Sequence, residues 1–225
     1  MAIKEINLPT GEKIVIDEWL HWATFSTMEF SATAKLDLRC FTYIVGQTVA
    51  HTAGVAARRA TITDTNQVIK GQTNYDEALL IYAITYEPWS LTDAEAGSPA
   101  VLLAPFPAPF STDIRKLQRE TVVEFNVGAK ISKPQISCPM SFVGQSVGAP
   151  AFAPGDAAAF AAATTLSYGT AGQPTGLNQR LQKLPIYVEQ SRTMFLKLKS
   201  PVALALESDF RIRWYLDGLK RRPVA

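Results

Sequence analysis

Histidine is scarce in this chain: 225 residues contain only His21 and His51, each isolated in sequence. Acid–base and metal chemistry use histidine more often than any other side chain. A cupin-like metal centre, which clusters several, therefore has no ligand set here. His21 lies between Leu20 and Trp22 and reads as packing against aromatics, and His51, beside Thr52 and Gly54, reads as a loop residue. Cysteine is equally rare. Cys40 and Cys138 are far apart and fit no zinc spacing, which leaves two buried free thiols or, alternatively, one disulfide. No glycine-rich phosphate loop, H-E-x-x-H, EF-hand or G-x-S-x-G pattern occurs. Asp93 with Glu95, and Glu207 with Asp209, read as turn residues. The expectation is a protein that is not an enzyme, with no cofactor, no metal and no small-molecule substrate.

Neither sign of charge dominates. With 22 basic and 20 acidic residues the net charge is +2, which gives no global reason to expect nucleic acid or an acidic membrane as main partner. Long apolar runs are missing too: nothing approaches the roughly 20 residues of a spanning helix, and Met1 to Pro9 has no apolar core for a secretion signal. Assembly in a cytoplasm is the expectation.

What the chain does have is alternation. In Phe210–Leu216 the residues Phe210, Ile212, Trp214 and Leu216 fall on one side, and Arg211, Arg213 and Tyr215 on the other. This period of two marks a half-buried strand. Arg192 to Lys199 repeats it with Met194, Leu196 and Leu198, and Thr121 to Val127 with Val123, Phe125 and Val127. Met28 to Leu38 alternates for so long that a bend or break is expected inside it. Leu79 to Glu87 is apolar on both faces and predicts a central strand, ending at Pro88. Trp19, Trp22 and Phe25 suit one helical turn or an irregular aromatic anchor. Further strands are expected at Glu12–Asp17, Phe41–Val49 and Leu184–Glu189, with an edge-like stretch over 131–143.

Two helices are expected. Ser111–Glu120 carries Ser111 or Thr112 as N-cap and Asp113 in its first turn, after a proline-rich stretch over 98–110. Asp156–Ala163 could form the second, inside a Gly/Ala/Pro-rich insertion around 144–179 that suits packing on a neighbouring subunit.

Many strands without βαβ alternation predict an all-β fold, an antiparallel β-sandwich or barrel with long loop insertions and one or two short helices. Residues 1–12 read as an N-terminal arm, 13–218 as a single domain and 219–225 as a basic tail. The basic groups Arg58, Arg59, Arg211, Arg213, Lys220, Arg221 and Arg222 are the candidates for subunit contacts, and Arg211 and Arg213, on one face of the last strand, also suit ion pairing across strands. Arg115, Lys116 and Arg119 form a further basic group.

Phe210 to Gly218 followed by Arg221 to Val224 resembles the ending of jelly-roll capsid proteins from tailless icosahedral bacteriophages. Ala60 to Asn66 leading into Leu79 to Tyr86, and Val123 to Gly128, resemble the same group. The resemblance implies a jelly-roll structural protein of the virion that self-assembles into an icosahedral shell. Its partners would be copies of itself, other capsid proteins, and an internal membrane or genome at the inner rim. The alternative is a receptor- or carbohydrate-binding β-sandwich of a virion spike, with Trp19, Trp22, Trp89 and Trp214 as stacking surfaces.

Overall fold

The structure, a computed structural model, describes residues 5–7, 13–15, 19–30, 37–49, 57–90, 108–128, 134–145, 150–151, 168–169, 176–201, 204–206 and 209–221. Among the described residues it is mostly β, with two α-helices. A short hairpin, β1 (Glu5–Asn7) and β2 (Lys13–Val15), precedes the long β3 (Trp19–Phe30). Then come β4 (Asp37–Cys40), the small pair β5 (Thr48–Val49) and β6 (Arg58–Arg59), and the long β7 (Leu79–Ser90). Helix α1 (Ala108–Glu120) leads to β8 (Val122–Val127), β9 (Ile136–Pro139), a 3-10 turn at Met140–Phe142 and β10 (Gly144–Gln145). After the two-residue pair β11 (Pro150–Ala151) and β12 (Tyr168–Gly169), α2 (Gly176–Lys183) precedes β13 (Ile186–Val188), β14 (Met194–Lys199) and β15 (Phe210–Arg221).

The larger sheet places β15 between β3 and β7, antiparallel to both along almost its whole length, from Phe210 opposite Phe30 and Ser90 to Lys220 opposite Leu20 and Leu79. The other edge of β7 takes β13 antiparallel at Leu79–Ile81 and β10 parallel at Thr85–Tyr86. The smaller sheet runs β4-β14-β8-β9, all antiparallel. The two sheets contribute to one buried apolar cluster. Met28, Phe30, Ile212 and Trp214 enter it from the first, Val123, Phe125, Leu196 and Leu198 from the second, and Leu117 of α1 and Leu181 of α2 from the helices. Phe30 and Phe210, cross-strand neighbours, stack at 4.8 Å, an aromatic pair of the kind that stabilises a sheet face.

Three local devices make the larger sheet possible. Between Asp217 and Gly218 the register with β7 slips, and a Cβ on Gly218 would stand 1.8 Å from the Leu80 carbonyl oxygen. Only glycine permits that approach. Ile84, in the gap between the β13 and β10 pairings, donates its N–H instead to the side-chain oxygen of Asn178 on α2, at 3.1 Å. A buried backbone donor is thereby satisfied without a strand. The free edge of β3 is closed by residues 64–66: Thr27 N–H donates to the Asp64 carbonyl (2.9 Å), Phe25 N–H to Asn66 Oδ1 (2.9 Å), and Asn66 Nδ2 to the Ala23 carbonyl (2.7 Å). An unpaired edge would otherwise invite foreign strands.

Several expectations need correction. Trp19 to Phe25 is neither a helical turn nor irregular but the start of β3, because its partner Tyr215–Arg221 supplies a ladder the local pattern does not show. The long alternation from Met28 divides between β3 and β4. Pro88 does not end β7. Past Tyr86 that edge has no described strand neighbour, and an edge tolerates a proline. β7 is buried on both faces at Leu79–Ile81, but from Tyr82 to Glu87 one face is only half-buried. Helix α1 starts at Ala108, so Ser111 and Thr112 lie within it, and Asp113 is a buried residue of its second turn. Pro109 fits because the first turn needs no donor from it. Helix α2, unforeseen, buries Leu177 and Leu181 at helical spacing. β15 runs through Arg221, so residues 219–221 of the expected tail belong to the sheet. His21 is exposed rather than packed, since it projects from β3 at the end of the sheet. His51, Asp156–Ala163 and Arg222 lie outside the described residues.

Candidate functional site

The basic residues singled out in the sequence gather at two places along the larger sheet. The first is its outer face. Register sets Arg211 of β15 directly opposite Glu29 of β3, and Arg211 Nε donates to Glu29 Oε1 at 2.7 Å. Arg58 converges on the same oxygen through Nε (2.8 Å) and Nη2 (2.5 Å). Its two Nη groups also reach both Asp64 oxygens, at 2.8 and 2.7 Å. Asp64 accepts further bonds from the Thr61 N–H (2.7 Å) and hydroxyl (2.8 Å). Glu29 and Asp64 are only 1% and 3% exposed, so the network joins two buried carboxylates to two half-buried arginines and is not a fully solvated patch.

The electrostatics follow from the contacts. Burial raises the Asp64 pKa, but the hydrogen bonds from Arg58 and Thr61 outweigh it and hold the carboxyl well below the usual range. Arg58 is shifted upward, chiefly by its bond to Asp64. Beside the network, Tyr215 donates to Glu87 Oε2 at 2.6 Å, and burial, then that bond, push its phenol up. Arg213 donates to the Thr63 carbonyl (2.9 Å), lies 3.7 Å from Glu87 and covers the Phe25 ring at 5.5 Å. Burial pushes Tyr43 up as well, while its hydroxyl bonds the backbone of Thr27. Chemically the arrangement is a clasp: it fastens the 57–66 segment to the outer face of the sheet.

The second place is a cleft at the end of the sheet where β3 begins and β15 ends. It is open to solvent, with a cavity volume of only about 30 Å³. Lys220 lies in its wall, 2.6 Å from Glu77 and 4.4 Å from the centre of the Trp22 ring. Trp22 remains 39% exposed. Gln67 lines the same cleft, and both its amide atoms are buried without a partner. Sequence reading did not single out Gln67, because an amide in a polar loop carries no periodic signal.

Of the seven basic candidates, then, Arg58, Arg211 and Arg213 are engaged within the chain, and Lys220 pairs with Glu77. Arg59 is exposed. Arg221 N–H donates to the Ala78 carbonyl at 2.9 Å. Of the tryptophans, Trp214 is fully buried against Tyr86 and offers no stacking surface, while Trp19 packs on Leu80. The side chain of Trp89 lies outside the described residues. Both cysteines are free, and burial raises both thiols.

Among the described residues no group of three or more His, Cys, Asp and Glu is placed to hold a metal ion, and no helix is long and apolar enough to cross a membrane. Comparison with family models, with curated proteins and with solved structures gave no match.

Proposed function

We propose that this chain is a structural subunit of a virion shell, built on a jelly roll, that assembles with copies of itself into an icosahedral capsid. One observation carries the reading. Taking β3, β4, β7, β8, β9, β13, β14 and β15 in chain order, the first pairs with the last, the second with the seventh, the third with the sixth and the fourth with the fifth. A hairpin ribbon rolled over on itself has this nesting, and it divides into two four-strand sheets around one core. The sheets β3-β15-β7-β13 and β4-β14-β8-β9 follow the same order. The sequence resemblance to capsid proteins of tailless phages supports the same conclusion from a separate direction.

The surface also suits contacts between subunits. The connection from β4 to β7 carries exposed Val45, Ile62, Val68 and Tyr75, the last three 67–76% exposed. Apolar side chains presented from one connection suit burial against a neighbour. Arg59, exposed on the same connection, is the basic candidate best placed to pair with a partner carboxylate. Other capsid proteins, and a genome or membrane at the inner rim, are the further partners of this reading, with assembly in the host cytoplasm and residence in the virion.

Negative-stain microscopy and sizing of the purified protein test it. Rings or closed shells are expected. A strict monomer at high concentration would sink the reading. The alternative, a carbohydrate-binding module, finds support only in the cleft beside Trp22.

A further inference from the structure

We infer that the cleft at the end of the larger sheet is a binding site for an uncharged, hydroxyl-rich ligand, a terminal sugar residue. The inference rests on the lining of the cleft and is independent of the shell reading.

Gln67 is the starting point. It is 7% exposed, and neither its amide nitrogen nor its amide oxygen has a hydrogen-bond partner. A buried amide left in this condition is costly, and native structures seldom retain one without a use. The neighbouring Asn66 is fully employed by the edge of β3, and the Thr73 hydroxyl bonds the Glu189 carbonyl and the Arg192 N–H. Gln67 alone among these is left holding an unused donor and an unused acceptor side by side.

The surroundings define the ligand class. Carboxamides dominate the polar lining, with Gln72 and Asn74 beside Gln67. The two charged groups, Glu77 and Lys220, neutralise each other at 2.6 Å. A phosphate, carboxylate or ammonium ligand would meet no unpaired opposite charge there. Neighbouring hydroxyls of a sugar, each a donor and an acceptor, complement an amide that offers one of each. Trp22 adds a flat apolar surface of the kind that a sugar ring covers with its C–H face. Lys220 lies over the Trp22 ring and its partner Glu77 also lines the cleft, so the pair holds the indole in place. The amide of Gln67 is closed off from solvent at the wall of the cleft, so the proposed binding requires it to turn outward.

Saturation-transfer NMR with the methyl glycosides of glucose, galactose and mannose and with N-acetylglucosamine, each at about 20 mM, tests the site, since a single small sugar is expected to bind with Kd on the order of 1 mM. At least one probe should give saturable transfer, weakened about tenfold or more in Trp22→Ala and in Gln67→Leu. Gln67→Leu should keep or raise the melting temperature, because it removes a partnerless amide while preserving volume. Absence of saturable transfer from all four probes would overturn the inference. Undiminished binding by a folded Gln67→Leu variant would overturn it as well. Because the readout is independent of particle formation, its failure leaves the shell reading intact, and a monomer that binds sugar would leave this inference standing while the shell reading falls.

Discussion

The two sheets share a core yet differ in how their outer faces are finished. The smaller sheet is open to solvent at Lys199 on its outer face, though Phe195 and Asn126 on that face are buried. Val123, Phe125, Leu196 and Leu198 point in, while its outer face carries the Glu124–Lys199 pair at 2.6 Å and Arg39 over Phe195 at 5.1 Å. Lys199 is 46% exposed there. The larger sheet is covered on its outer face in two stretches. Residues 57–66 lie over Glu29 and Thr27, and Trp19, Tyr82, Tyr187 and Leu219 pack around Leu80. The same pairing of an acid with a base is therefore a solvated contact on one sheet and a buried fastening on the other. The difference teaches that strand alternation alone does not say which polar residues meet water.

Substitutions can break or sharpen that contrast. The largest effect is expected at the register shift in the larger sheet. Gly218→Ala places a Cβ against the Leu80 carbonyl and should cost more than about 4 kcal/mol, read as loss of soluble protein or of the cooperative urea transition. Next comes Glu29→Ala, which removes the buried carboxylate shared by Arg58 and Arg211 and should destabilise by about 3 kcal/mol in chemical denaturation.

The Asp64 carboxyl gives the contrast a pH dependence. Its folded pKa is depressed, so its contribution is fully present above the unfolded value of about 3.9 and is lost as pH falls below it. Acid unfolding should steepen below about pH 4 in the parent chain, and Asp64→Asn should be weaker at neutral pH but flatter through that window. The smallest effect is Lys199→Ala. The exposed pair it removes should contribute about 0–1 kcal/mol, less in high salt. A Lys199 effect equal to that of Glu29 would remove the distinction between the two sheets.

The contrast also explains what was legible in the sequence. Phe210, Ile212, Trp214 and Leu216 face the core as their alternation indicated, as do Met194, Leu196 and Leu198, because one face of each strand meets apolar neighbours. Which strands pair was not legible: β3 meets β15 across most of the chain, and local periodicity holds no record of distant partners. Arg58 and Arg59 looked alike as a basic pair. Extended backbone turns one toward Glu29 and Asp64 and the other outward. Glu29 lies on the polar side of the alternation from Met28, and the segment that covers it comes from about thirty residues further along the chain, a separation its hydrogen bond to Arg58 spans. Gln67 left no sequence signal, since its lack of partners is a property of the packed cleft alone.

The proposed role of this chain is that of a shell-building unit. Sedimentation velocity of the purified chain across about a hundredfold range of concentration tests it most directly, because assembly follows mass action. The account predicts a discrete large species that grows at the expense of monomer as concentration rises, weakened by Arg59→Glu without loss of folding. A monomer at every concentration would contradict it.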